Sequence, residues 1–227
     1  MLIQNLTWTQ DSQGNLYFGG EGAMETLEGI AYKKPFPHLI IKNFYNENEL
    51  KLIWEELTFY TRPGKFLDAK YFGGVVGKTN SHALALDSVY QEKYRHLSNI
   101  LTVNRKLFDT ELLRTFSEID DCCGIALTSN WDITKVRYYH HNEYYDPHID
   151  NDFQFLAFSY FYKEPKKFNG GEIYFPKYNY EYKCDNNSII ILPGWVKHGV
   201  KKVSINDSDY YDGYGRYCIS SFFGNKG

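Results

Sequence analysis

Apolar positions along this chain follow two different periods. In the first half they recur at helical spacing: Leu50, Ile53, Trp54 and Leu57 fall on one helical face, and Asn46 with Glu49 three residues on supplies a capping box at the start. From about 88 to 119, Leu97, Leu101, Phe108, Leu112 and Phe116 return at helical steps, which predicts an amphipathic region of two helices. Around these, "PFPHLIIKNF" predicts a strand at about 37–44. The opening 30 residues, with "NLYFGGEGAMETL", read as short strands around glycine turns, and "GKFLDAKYFGGVVGKTNS" reads as a loop or hairpin. After residue 122 strand-like runs dominate: "GIALTSNWDITKVRYYH", "FQFLAFSYFY", "GGEIYFP", "NSIIILP", "HGVKKVSI" and "GRYCISSFF", separated by Gly, Pro, Asn and Asp. Helices first and many short strands after predict an antiparallel sandwich or distorted barrel buttressed by helices, with its mouth a natural ligand pocket.

Composition narrows the classes. At 227 residues, with no internal repeat or low-complexity linker, the expectation is one domain over 1–227, with helical support at about 46–119 and a β core at about 122–225. Charge is nearly balanced, 25 Lys and Arg against 28 Asp and Glu, so there is no electrostatic footprint for duplex nucleic acid or an anionic membrane. The 21 tyrosines and 16 phenylalanines suit strands and half-buried polar pockets. Cys122, Cys123, Cys184 and Cys218 show no CxxC spacing, "MLIQNLTWTQ" is too polar for a leader, and no apolar run approaches membrane-spanning length. Free thiols in a reducing, cytoplasmic compartment are the expectation.

The candidate chemistry lies in "NEYYDPHID", residues 142–150. Residues two apart on a strand share a face, so His148 and Asp150 can aim into one barrel. Two His and a carboxylate on one side of a metal leave positions open, the arrangement of non-haem Fe(II) oxygenases. Taken alone, a His-x-Asp pair reads as a hydrogen-bonded surface pair and not as a metal site. A third candidate, His198, opens "HGVKKV", and Arg216 opens the last strand. An arginine facing a barrel interior requires an anionic partner, for which a carboxylate is the best geometric match. On the surface it would form an ordinary salt bridge.

These residues resemble the Fe(II)/2-oxoglutarate-dependent dioxygenases, in particular the prolyl 4-hydroxylase-like branch. The resemblance runs from "PFPHLIIKNFYNENELKLIWEEL" to "GRYCISSFF". Tyr139, Asn142, Tyr145, His148 and Asp150 fall in the family frame Tyr-x-x-Gly-x-x-Tyr-x-x-His-x-Asp, with Asn142 in the glycine place, which Asn tolerates in left-handed backbone. "GGEIYFP" looks like the family's Gly-Gly-Glu strand, and "SIIILPGWVKHGVKKV" like the strand leading to its distal histidine. The gap from His198 to the basic residue is longer than the family's; Lys201 and Lys202 lie too close to His198, and only Arg216 opens the last strand.

The resemblance implies a mainly β fold with N-terminal helices around a double-stranded β-helix, a jelly-roll or cupin-like core. It implies His148, Asp150 and His198 as ligands of Fe(II), Arg216 on the distal carboxylate of 2-oxoglutarate, and Tyr139 hydrogen-bonded to that co-substrate. Alternation places Cys218 and Ser220 on the face of Arg216, so Ser220 can add a hydroxyl there. The implied reaction uses O2, with ascorbate as an optional reductant, to hydroxylate a peptide or protein side chain such as proline. A nucleic-acid or small-molecule substrate is the alternative within the superfamily. Outside it stand a cupin-like metalloenzyme, which gives Arg216 no task, and a binding module, which leaves the order of the four residues to accident. His140 and His141 read as rim residues, Trp195 as core or substrate mouth, Lys166 and Lys167 as solvated loop, and 177–183 as a lid or an edge strand.

Overall fold

The computed structural model describes residues 7–21, 26–74, 78–206 and 209–227. The chain begins with a meander of β1 (Thr7–Gln10), β2 (Leu16–Glu21), β3 (Thr26–Tyr32) and β4 (His38–Lys42). Helix α1 (Glu47–Tyr60) follows, then the short strands β5 (Leu67–Asp68), β6 (Thr79–Asn80) and β7 (His82–Ala85), and helices α2 (Leu86–Val89), α3 (Asn99–Val103) and α4 (Thr110–Ser117). Ten strands complete the chain. They are β8 (Trp131–Tyr139), β9 (Tyr144–His148), β10 (Phe155–Phe161), β11 (Phe168–Asn169), β12 (Ile173–Phe175), β13 (Tyr180–Tyr182), β14 (Ser188–Pro193), β15 (His198–Val200), β16 (Ser204–Ile205) and β17 (Arg216–Gly224).

Two antiparallel sheets carry the core. The larger runs β1-β2-β3-β4-β14-β10-β17-β8-β7-β5 and the smaller β13-β12-β15-β9-β6. From β8 onward the chain alternates between them: β8, β10, β14 and β17 lie in the larger sheet, and β9, β12 with β13, and β15 in the smaller. That alternation is a double-stranded β-helix, so the expected jelly-roll core is present.

Both faces of the larger sheet are covered, which explains its unbroken apolar runs. On β10, Phe155, Ala157 and Phe161 join the helix-side core with Ile53, Leu57, Ile100, Leu112 and Phe116. The alternate residues Leu156, Phe158 and Tyr160 join the core between the sheets. Strands β14 and β17 divide the same way: Ile189, Ile191 and Ile219 face the helices, while Ile190, Leu192 and Cys218 face inward.

The capping box forms, with Glu49 N donating to Asn46 Oδ1 at 3.0 Å and Asn46 N to Glu49 Oε2 at 2.9 Å. Between 88 and 119 the helix breaks into shorter pieces than the two-helix pattern predicts. Ser98 and Asp109 explain the breaks: each side chain accepts from backbone N–H groups ahead of it and restarts a helix, as α3 and α4. Leu97, expected on the apolar face, is 62 % exposed. The first part of "GIALTSNWDITKVRYYH" is not a strand either; Asp121–Thr128 is 3₁₀, capped by Asp120, and β8 starts only at Trp131. The glycine turn at 22–25 and the centre of the Gly-punctuated loop at 75–77 lie outside the described residues. All four cysteines are free, and no described helix is long and apolar enough to cross a membrane.

Candidate metal centre

Strands β9 and β15 pair so that His148 stands directly opposite His198. Upstream of β9 the chain turns at Asn142, whose φ of 64° is the left-handed conformation expected there. Asp150 is not on the strand. Strand β9 ends at His148, Ile149 turns out to 48 % exposure, and Asp150 is held in the following turn by its N–H to Gly194 O at 3.2 Å. A Cβ at Gly194 would come 2.1 Å from Phe153 O and 2.7 Å from Asp150 O, so the glycine of "PGW" permits this close approach. A turn closed by β14's end, and not strand alternation, therefore brings His148 and Asp150 together.

Each histidine is oriented from behind. Nδ1 of His148 lies 3.0 Å from Asp146 O and Nδ1 of His198 lies 2.9 Å from Val196 O, so each Nδ1–H donates to a carbonyl and each Nε2 presents a lone pair inward. The two Nε2 atoms lie 3.6 Å and 3.5 Å from Asp150 Oδ2, and the three ligand atoms all fall within 4.8 Å of one another. Burial, then the neighbouring His198, pulls His148 down to about 4, and burial lowers His198 as well. Both rings are therefore neutral at pH 7. The result is three acceptors aimed at one point with no donor among them, and Asp150 Oδ2 is buried without a hydrogen bond. Such a set fits a divalent cation. Among the described residues it is the one group of His, Cys, Asp or Glu so arranged.

The same inter-sheet pocket contains Arg216, 2 % exposed, at the start of β17 and paired in register with Tyr139 of β8. Its guanidinium is sandwiched between the rings of Tyr139 and Tyr160, at 5.0 Å and 4.7 Å. Nη2 reaches only Cys184 Sγ at 3.5 Å, while Nε and Nη1 have no hydrogen-bond partner. No carboxylate of the described residues pairs with it. The "GG" of "GGEIYFP" packs against its stem: Gly171 has φ +78°, and a Cβ there would sit 2.7 Å from Arg216 Cδ.

Of the other residues singled out from sequence, Tyr139 and Ser220 both line this pocket, and Ser220 Oγ lies 3.4 Å from Cys218 Sγ. Burial raises the Tyr139 hydroxyl pKa. Lys201, Lys202, His141 and the 41 %-exposed Trp195 are exposed and outside the pocket, and the half-buried His140 also lies outside it. Residues 177–183 form a short turn and β13, the edge strand of the smaller sheet. Sequence reading passed over Arg137 and Tyr160, which also line the pocket. Period-two alternation carried the signal: Arg137 is two residues before Tyr139 on β8, and Tyr160 faces inward on β10 with Phe158.

No family model and no curated protein matches the sequence. Solved structures do match its fold. A prolyl-4-hydroxylase from Pseudomonas putida aligns with TM-score 0.56 and 13% identity, covering 84% of this chain and 93% of that one. A 2OG-Fe(II) oxygenase family oxidoreductase from Burkholderia pseudomallei gives 0.54 and 14%, over 82% and 85%. The non-heme α-ketoglutarate-dependent epimerase SnoN of nogalamycin biosynthesis gives 0.51 and 8%, over 83% and 76%. At these identities the likeness is one of fold: this chain has the double-stranded β-helix on which those oxygenases are built.

Proposed function

We propose that this chain is an Fe(II)- and 2-oxoglutarate-dependent dioxygenase that hydroxylates a side chain of a peptide or protein, such as proline. One observation carries the reading: a single buried pocket joins an acceptor-only His148, Asp150, His198 cluster to an arginine that is buried without a carboxylate. One end calls for a cation and the other for an anion, and a metal with a dicarboxylic co-substrate satisfies both.

In this reading His148, Asp150 and His198 hold Fe(II), which when bound supplies the O2-dependent oxidation that turns 2-oxoglutarate to succinate and carbon dioxide as substrate is hydroxylated. The Asp146 and Val196 carbonyls keep both imidazoles in the tautomer that presents Nε2. Arg216 takes the distal carboxylate as a fork, with its unpartnered Nε and Nη1 hydrogens available and its plane fixed by Tyr139 and Tyr160. Ser220 adds a hydroxyl donor beside it. Phe158, Ile173 and Phe222 form apolar wall that excludes water from the reacting groups. A cupin-like enzyme without 2-oxoglutarate would leave the Arg216 charge unanswered.

The balanced composition supports a peptide or small molecule over nucleic acid as substrate, and the structural neighbour named as a prolyl-4-hydroxylase supports the peptide. Four free thiols support a reducing, cytoplasmic setting. Anaerobic titration with Fe(II) and then 2-oxoglutarate tests the reading, through the weak visible absorption that iron and a 2-oxo acid give together. The band is expected in the wild type, absent in His198→Ala, and shifted to much higher co-substrate in Arg216→Ala. Iron binding without a band would sink the co-substrate assignment.

A further inference from the structure

Arg216 is not the only buried cation of the pocket. On β8 the inward face carries Lys135, Arg137 and Tyr139 in succession, opposite Ser220, Cys218 and Arg216 of β17. Arg137 is 6 % exposed and its guanidinium lies over the Tyr145 ring at 5.1 Å. Its Nη1 is buried with no hydrogen-bond partner, and no carboxylate of the described residues lies within ion-pair distance. Arg137 stands one strand step, roughly 7 Å, from the Tyr139–Arg216 pair. The Tyr145 ring beneath it is in turn stacked on His148, with centroids 3.9 Å apart, which places Arg137 toward the metal end.

Lys135 stands one further step along, its Nζ over the Phe222 ring at 5.1 Å and donating to Phe72 O at 2.7 Å. That bond uses one of its three hydrogens. Burial, then Arg137, pulls Lys135 down to about 8, which leaves it mostly protonated at pH 7.

In the pocket lining, Arg216 and Arg137 set two cations against the one carboxylate of Asp150. Fe(II) and a 2-oxoglutarate dianion cancel each other, so loading the site as proposed leaves the positive excess in place. Leaving a buried guanidinium without a counter-ion is expensive.

We infer that the primary substrate carries a carboxylate received by Arg137, while its reacting carbon faces the metal centre. This deepens the dioxygenase reading and rests on it. The carboxylate belongs either to an acidic residue next to the hydroxylated one in a peptide or to a free acid, which present the same chemistry to Arg137.

The test compares matched pairs in the Fe(II)-loaded full chain with 2-oxoglutarate, reading substrate-stimulated succinate formation. One arm uses free L-amino acids and small dicarboxylic acids beside their carboxamides. The other uses capped proline-containing peptides with Glu or Gln next to the proline. Acids are expected to stimulate at least tenfold more than their amides, and the arm that responds identifies the source. In Arg137→Gln the KM for the active acid is expected to rise at least tenfold, while 2-oxoglutarate affinity, titrated anaerobically without turnover, moves less than threefold. A neutral compound as the best stimulant, or a tenfold loss of 2-oxoglutarate affinity in Arg137→Gln, overturns the inference.

If no compound stimulates, the same pairs are read by thermal shift on the metal-free protein. Acids that raise Tm in the wild type but not in Arg137→Gln sustain the inference, and the absence of any such acid overturns it. A wild type that fails to bind 2-oxoglutarate sinks the dioxygenase reading and leaves this thermal-shift comparison standing as a separate decision.

Discussion

Two buried charges in this molecule are treated in opposite ways. Glu56, on the helix side of the larger sheet, accepts from Ser98 Oγ at 2.8 Å, from Ile100 N at 2.7 Å and from the Tyr60 hydroxyl. It fastens α1 to the start of α3, and its oxygens are satisfied by the protein itself. Arg216, between the sheets, has two of its nitrogens without partners, and Asp150 at the far end of the same pocket has a buried oxygen without one. A fully satisfied buried charge marks a structural joint, and an unsatisfied one marks a place built for something else. The larger sheet separates the two regimes, with one face closed by helices and the other lining the pocket.

Substitutions can break or sharpen that contrast. The largest effect is expected at the metal end: His198→Ala should abolish iron binding and turnover, by at least about a thousandfold, while melting within a few degrees of wild type, as iron analysis and calorimetry would check. Next, Arg216→Met should weaken 2-oxoglutarate by roughly a hundredfold, about 3 kcal/mol, because it removes a charge-assisted fork. The Tm of the metal-free protein should hold or rise, since an uncompensated buried cation is gone. A clear fall in Tm would mean Arg216 is a structural residue like Glu56.

The reverse is expected of Glu56→Ala. It should destabilise the fold by about 3 kcal/mol, since it strands Ser98, Ile100 N–H and Tyr60, yet leave 2-oxoglutarate affinity of the folded fraction unchanged. Gly171→Ala should act more mildly, weakening co-substrate binding severalfold. The left-handed backbone and the 2.7 Å approach to Arg216 Cδ force either the strand or the guanidinium to shift.

The smallest and most diffuse effect is in pH. His148 and His38 are held near 4, chiefly by burial, and His198 is lowered too. The unfolded chain takes up protons near 6.5 that the folded chain refuses. Metal-free stability should therefore be full above about pH 6.5 and fall as pH drops from there toward about 4. Denaturant midpoints across that window check the sign, and His148→Gln should flatten part of the slope.

Much of this was legible in the chain. The capping box and the α1 face are local features, because Asn46, Glu49, Ile53 and Leu57 meet within a few turns of backbone. The order His148, Asp150, His198, Arg216 also lies in plain view, since strands of a jelly roll deliver residues to one pocket in a fixed sequence. The breaks before α3 and α4 were written in Ser98 and Asp109, but as caps inside an apolar period that masks them. Arg137 and Tyr160 escaped because they sit among apolar and aromatic neighbours on strands buried on both faces, where alternation of polarity is erased and only alternation of direction remains.

The capping box, the α1 face and most of the β strands follow from spacing over short stretches of chain, while the jelly-roll class and the grouping of His148, Asp150, His198 and Arg216 rest on the family resemblance. Only the tertiary structure decided which face of each two-sided strand looks into the pocket. It also decided that Asp150 reaches the histidines through the turn against Gly194, and that Arg137 Nη1, Arg216 Nε and Nη1, and Asp150 Oδ2 are buried without hydrogen-bond partners. Those outcomes depend on contacts between residues far apart in sequence: β9 registered against β15, β8 against β17, and the end of β14 closing on the loop after β9. Whether a buried charge is satisfied is a property of everything around it, and no local period encodes that.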